Sequence, residues 1–172
     1  RVRALMNTPG WGFGLASSSL VGQSLGAHEE TAASGFARDT LRFTVSVYAL
    51  VGAGVFVLAD PIAALFTTEA GVAWQAALLI RAACLSVVLW GLMNGAMGPL
   101  RAGGDTRWPF YGQLLGLFGF ALPVAYAGAV TPLGLWGLGA ALIVETGVPA
   151  LVIYARYRTG TWKQRQLHGA PA

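Results

Sequence analysis

Polar and apolar positions separate along this chain into long charge-free runs and short charged intervals. About 18 or more apolar residues in a row cross ~30 Å of hydrocarbon at 1.5 Å per residue, and five runs qualify as candidates. The first is 4–27, without a charged residue. The second, 43–59, is bounded by Arg42 and by Asp60 followed by Pro61, and the third, 82–100, is closed by Arg101. Residues 108–144 are charge-free for 37 positions. As one helix they would be ~55 Å long and would overshoot the bilayer core. Turn chemistry in 128–134, with Thr131, Pro132 and Gly134, breaks that stretch into a fourth span at 108–127 and a fifth at 135–157. The pattern predicts an all-α polytopic membrane helix bundle of five transmembrane helices, with a tail at 158–172.

Composition excludes an ordinary water-soluble globule. Of the 172 residues 55% are hydrophobic and only 10% charged, where a soluble domain carries roughly 25% charged residues. The net charge of +4 does not point to nucleic acid, because the eleven Lys and Arg are scattered in ones and twos between apolar runs, without a basic stripe. The single cysteine, Cys84, lies in an apolar run and forms no intramolecular disulfide. The sequence opens on Arg1 without a secretory leader and reads as a piece of a longer chain.

Charge sets the expected orientation, since Lys and Arg are retained on the cytoplasmic side. Arg38 and Arg42 follow span one, Arg101 and Arg107 follow span three, and Arg156, Arg158, Lys163 and Arg165 follow span five. The alternate segments 60–75 and 128–134 hold no Lys or Arg. Eight of eleven basic residues thus fall on one side, which places the carboxy-terminus in the cytoplasm. The exceptions are Arg1, Arg3 and Arg81, and a long Arg81 stem at the mouth of span three would snorkel to headgroups. Trp74, Trp108, Trp136 and Trp162 fall near span ends and are expected as interfacial anchors, whereas Trp11 and Trp90 lie deeper.

Glu145 is the one acid in the middle of a span, where a carboxylate costs a few kcal/mol to insert. It reads either as a proton-carrying or cation-binding group, or as a packing acid hydrogen-bonded to Thr146 or a neighbouring helix. Asn94 in span three and Gln113 in span four are the other intramembrane polar side chains of note, suited to interhelical hydrogen bonds or to a shared cavity. Glycine is abundant, at 24 residues, and GxxxG spacing at Gly10/Gly14, Gly22/Gly26, Gly91/Gly95 and Gly112/Gly116 adds little beyond that abundance. Pro9, Pro99, Pro123 and Pro149 are candidate kinks. Enzymatic constellations are poor: His28 and His168 lie in aqueous segments, and neither an HExxH nor a Cys/His cluster is present. The chain reads as neither an enzyme nor a cofactor protein.

Four stretches in order resemble the second half of the multidrug and toxic compound extrusion (MATE) transporters. Residues 8–27, TPGWGFGLASSSLVGQSLGA, resemble the helix and cytoplasmic turn that open that half; 60–67, DPIAALFT, its outer loop; 99–109, PLRAGGDTRWP, its inner loop; and 156–163, RYRTGTWK, its cytoplasmic end. The LVGQxLGA and LRAGGDTRWP pair is fairly specific. The resemblance implies helices eight to twelve of a twelve-helix antiporter, most of one six-helix lobe, working by alternating access against an amino-terminal lobe missing from this sequence. It also places Arg1 and Arg3 inside helix eight. In the inner loop, Gly103 and Gly104 allow a tight turn, Asp105 or Thr106 can cap the next helix, and Pro109 suits its first turn.

The resemblance further implies export of organic cations or amphipathic drugs in exchange for H+ or Na+; Glu145 is read as the exchanging carboxylate from its mid-span position, not from a motif match, with Asn94 and Gln113 as further contacts. The sodium-coupled branch expects an acid in helix ten; counting back from Arg101, that position is Trp90. Two rivals stand beside this reading. One is a lipid-linked oligosaccharide flippase of the same superfamily, which would want a more cationic cavity; the other is a non-transporting membrane scaffold module.

Overall fold

The computed structural model describes residues 2–132 and 134–163, and of residues 2–10 and 70 the backbone alone. Arg1, Arg165, His168 and most of the predicted tail lie outside the described residues. Five long helical stretches follow one another: α1 (Val2–Gly26), α2 (Glu30–Val57), α4 (Ala70–Ala102), a broken helix of α5 (Arg107–Leu114) and α6 (Leu122–Val130) joined by the π-helical segment Leu115–Ala121, and α7 (Gly134–Arg158). A short α3 (Ala59–Ala64) links α2 to α4, and a 3₁₀ turn at Thr161–Lys163 follows α7. Among the described residues no strand occurs.

Each predicted span is helical, but two helices outrun their apolar runs. Helix α2 begins at Glu30 rather than near 43, and α4 at Ala70 rather than near 82. An apolar run measures the part of a helix that meets hydrocarbon, whereas the backbone ladder continues through polar residues wherever packing supports it. The added turns of α2 are packed: Ala33 and Ala37 are buried in the same cluster as Val21 and Leu25 of α1 and Met97 and Leu100 of α4. By length and composition α2, α4, the broken helix and α7 are each able to cross a membrane. The 25 residues of α1 are also enough.

Helix α4 is the hub, packing against α1, α2, α3 and α7. Glycine makes these approaches possible, and here the GxxxG spacing is informative. A Cβ on Gly91 would lie 2.8 Å from Tyr48, and one on Gly95 would lie 2.8 Å from Leu41, both on α2. About one turn along α4, Gly98 lies against Ser17 of α1, where a Cβ would sit 2.6 Å from that of the serine. Gly98→Ala is therefore expected to cost about 1–3 kcal/mol by overpacking. Thermal unfolding in detergent checks it, against Gly54→Ala, a position with open space.

Large apolar side chains point outward. Leu50 is 76% exposed, Phe118 61% and Leu151 62%. In water such a surface would aggregate, and in a bilayer it is the side that meets lipid. Trp74, Trp108 and Trp136 are exposed near helix ends as anchors should be, but Trp162 is 2% exposed. It is buried because the chain doubles back after α7: Gly160 adopts φ 69°, and the Trp162 backbone lies against Gly103 at the end of α4. Arg81 finds partners within the protein. Its guanidinium donates to Asp60 at 2.6 Å and lies 5.8 Å from the Phe56 ring centroid, so α3 and the end of α2 meet its charge.

The α4–α5 loop is clamped to the end of α7. Gly104, at φ 73°, makes the turn, and the Asp105 N–H donates to the Leu100 carbonyl at 2.7 Å. Thr106 occupies the N-cap of α5 without a side-chain capping bond. The Asp105 carboxylate, 1% exposed, instead accepts from Arg156 Nε at 2.7 Å. Arg156 also lies 5.4 Å from the Trp108 ring centroid. Pro109 is the third residue of α5, where its missing N–H has no helical acceptor to lose.

Candidate functional site

Proline and glycine shape the interior between α4, the broken helix and α7. Pro149 sits inside α7 and has no N–H to return to the Glu145 carbonyl one turn earlier. Opposite it, Gly116 allows the π-helical segment to approach closely: a Cβ there would lie 2.6 Å from Pro149 Cδ and 3.1 Å from the Glu145 carbonyl oxygen. The π turn ends just before Pro123, at the second position of α6, and a widened ladder accommodates a proline that a regular helix would reject.

Below this contact a cavity of about 550 Å³ opens, lined by Trp90, Met93, Arg101, Gln113, Glu145 and Thr146 together with apolar residues of α5. A second cavity of about 320 Å³ adjoins it and shares Trp90, Met93, Arg101 and Gln113. Asn94, Trp11 and Gly14 line the second. The three residues singled out in the sequence thus line two adjoining cavities. Glu145 and Gln113 share the larger cavity, and Gln113 and Asn94 the smaller.

Their roles differ in detail. Glu145 is half-buried and Gln113 exposed to the cleft. The Asn94 amide donates back to the Trp90 carbonyl at 2.9 Å, so it is held within its own helix. Thr146 likewise returns its hydroxyl to the Leu142 carbonyl at 3.4 Å. A carboxylate, a carboxamide, aromatic faces and methionine give the cleft the chemistry to hold an amphipathic cation.

Two lining residues were not singled out as site residues. Trp90, at the position where the sodium-coupled pattern expects an acid, faces both cavities, and its buried indole nitrogen has no hydrogen-bond partner among the described residues. Arg101 closes an apolar run in the sequence, yet α4 extends past it and it lines both cavities. No group of three or more metal-ligating side chains occurs among the described residues.

The MatE family model matches residues 1–127. The chain belongs to the MatE family. This MatE chain is 26% identical over 158 residues to the uncharacterized transporter YisQ of Bacillus subtilis (strain 168), covering 89% of the chain and 35% of that relative. It is 25% identical over 168 residues to the probable multidrug resistance protein YoeA of the same strain, covering 97% and 36%. The crystal structure of the eukaryotic MATE transporter AtDTX14 superposes with a TM-score of 0.85 at 23% identity, over 95% of the chain and 37% of that protein, a likeness of fold. The MatE chain therefore spans about a third of the length of these relatives. MatE is a family of membrane transporters rather than of enzymes, and the apolar helices are those of a multi-pass membrane protein.

Proposed function

We propose that this chain forms the carboxy-terminal lobe of a multidrug antiporter, helices eight to twelve of twelve, that exports cationic or amphipathic compounds from the cytoplasm across the plasma membrane in exchange for H+ or Na+. The observation that carries the reading is the position of Glu145, a carboxylate at mid-helix opening on a cleft of aromatic and apolar side chains with Gln113 across it. A single carboxylate in low dielectric neutralises one cation at a time, because a second positive charge would meet no counter-charge there. Occupancy by substrate and by coupling ion is then mutually exclusive. Negative linkage of this kind, combined with a cleft presented alternately to each side, is antiport. The carboxy-terminus faces the cytoplasm in this arrangement, with Arg101 at the cytoplasmic end of the cleft.

The flippase reading is weaker, since Arg101 is the one cation lining the two cavities among the described residues. The test is Glu145→Gln in the full-length protein reconstituted into vesicles. Efflux driven by an ion gradient is expected to fall, with substrate affinity weakened by about 1.5–3 kcal/mol, the worth of a hydrogen bond to a charged group, or roughly ten- to hundredfold. Expression and melting temperature should be retained. Unchanged coupled efflux would remove the carboxylate from the mechanism, and loss of folded protein would assign it to packing.

A further inference from the structure

At the end of the bundle where α2 begins and α7 finishes there is a separate cavity of about 260 Å³, sharing no residue with the cleft of Glu145. Arg38 and Ser34 reach it from α2, Tyr157 and Arg158 from α7, and Trp162 and Lys163 from the 3₁₀ turn. Three cations therefore converge on one hollow from three elements, and no acid lines it. Among the described residues Arg38, Arg158 and Lys163 have no ion-pair partner, whereas the neighbouring Arg156 is neutralised by Asp105.

The hollow is shaped by the fold rather than by loose surface side chains. Gly160 turns the chain back beneath α7, and Lys163 N–H closes the turn on the Gly160 carbonyl at 3.1 Å. The Trp162 indole donates to the Tyr157 carbonyl at 3.2 Å, and the two rings stack with centroids 6.1 Å apart. That buried Trp162 ring holds the Lys163 ammonium 5.5 Å from its centroid. Like charges gathered in this way repel one another, and a bound anion removes the repulsion.

We propose that this hollow binds a phosphate group, supplied by the headgroup of an anionic phospholipid in the leaflet that this end of the bundle meets. Guanidinium forks match phosphate oxygens two at a time, and an ammonium adds a point charge. Basic pockets between transmembrane helices at a membrane surface take phospholipid headgroups, and the Tyr154, Tyr157 and Trp162 rings beside the hollow suit that depth. A soluble phosphate or pyrophosphate offers the same oxygens, so the two sources are separated by experiment.

The full-length protein carrying this chain, purified in neutral detergent, is titrated with mixed micelles containing phosphatidylglycerol or phosphatidylcholine, and binding is followed by native mass spectrometry and by melting temperature. Phosphatidylglycerol is expected to bind preferentially and to raise the melting temperature. Arg158→Gln combined with Lys163→Gln should weaken that binding by at least about tenfold. Arg42→Gln with Arg107→Gln, two exposed cations outside the hollow, should leave it within about threefold. Should the double variant melt early without lipid, Arg38→Gln, which leaves the 3₁₀ turn untouched, replaces it. Equal losses in both pairs of variants, or no preference for phosphatidylglycerol, would overturn the proposal. Pyrophosphate at millimolar concentration supplies the second arm. Displacement of phosphatidylglycerol from the wild type, together with pyrophosphate binding that the hollow variants lose, identifies a soluble anion sharing the site. Lipid binding indifferent to pyrophosphate identifies the headgroup as the occupant.

Discussion

Replacing Asp105 by alanine is expected to be the most destabilising single change in this chain. The carboxylate is 1% exposed and accepts from Arg156 Nε at 2.7 Å, so its removal leaves a guanidinium, itself only 21% exposed, facing a pocket without a counter-charge. Breaking one side of a buried pair costs about 3–5 kcal/mol, more than the pair itself contributes, because the partner's desolvation is no longer offset. The damage also spreads. The Asp105 loop and Arg156 tie the end of α4 to the end of α7, and the Trp162 backbone lies against Gly103 in the same junction. Thermal unfolding of the full-length protein in detergent reads the loss. The double substitution with Arg156→Ala should recover part of it, since the orphaned charge is then gone; an additive double variant would show that the two side chains act independently.

Gly116→Val is expected to follow closely, with consequences for transport as well as stability. A Cβ at Gly116 meets the Pro149 ring at 2.6 Å and the Glu145 carbonyl at 3.1 Å. A fused pyrrolidine and a backbone oxygen cannot swing aside as the end of a long side chain can. The π-helical segment must therefore back away from α7, at about 3 kcal/mol or more given the added Cβ and its two methyl groups. Retreat of this wall separates Gln113 from Glu145 across the cleft. Substrate binding should weaken in parallel with the melting temperature, and equilibrium binding of a fluorescent organic cation to the purified protein measures it. Retained affinity in a destabilised variant would show that the cleft does not depend on this contact.

Much of the fold was legible because lipid imposes a simple rule. Charge-free runs long enough to cross hydrocarbon had to be helices, and Pro132 with Gly134 had to divide the longest of them. Helix ends were less legible, since the turns from Glu30 to Arg42 and from Ala70 to Arg81 are held by tertiary packing that hydropathy does not register. The candidate site was half visible. Glu145, Asn94 and Gln113 stood out because polar groups are costly in a span, and all three line the cleft. Trp90 and Arg101 did not, because an aromatic residue is at home in a bilayer and an arginine at a span end is ordinary topology. The pairing of Asp105 with Arg156, 51 residues apart, has no local signature, and capping chemistry was the natural local reading of the same aspartate. Glycine spacing adds little to the sequence reading, and yet Gly91 and Gly95 both receive α2: composition counts residues, while only the neighbouring helix shows which of them are used.

The π-helical segment has one more effect, on rotational phase. Gly116 and Gly128 both touch α7, the first at Pro149 and the second at Gly137. On an uninterrupted α-helix residues twelve apart point about 120° away from each other, so only one of the two would face the partner. The wider turn at Leu115–Ala121 absorbs about one residue and brings the two directions to within about 20°. The irregular stretch thus keeps Gly116 and Gly128 on one face of their own helix, whereas their partners Pro149 and Gly137, also twelve apart, point about 120° from each other on α7. A one-residue deletion between 117 and 121 would restore a regular helix and, in doing so, turn Gly128 about 100° away from its contact with Gly137.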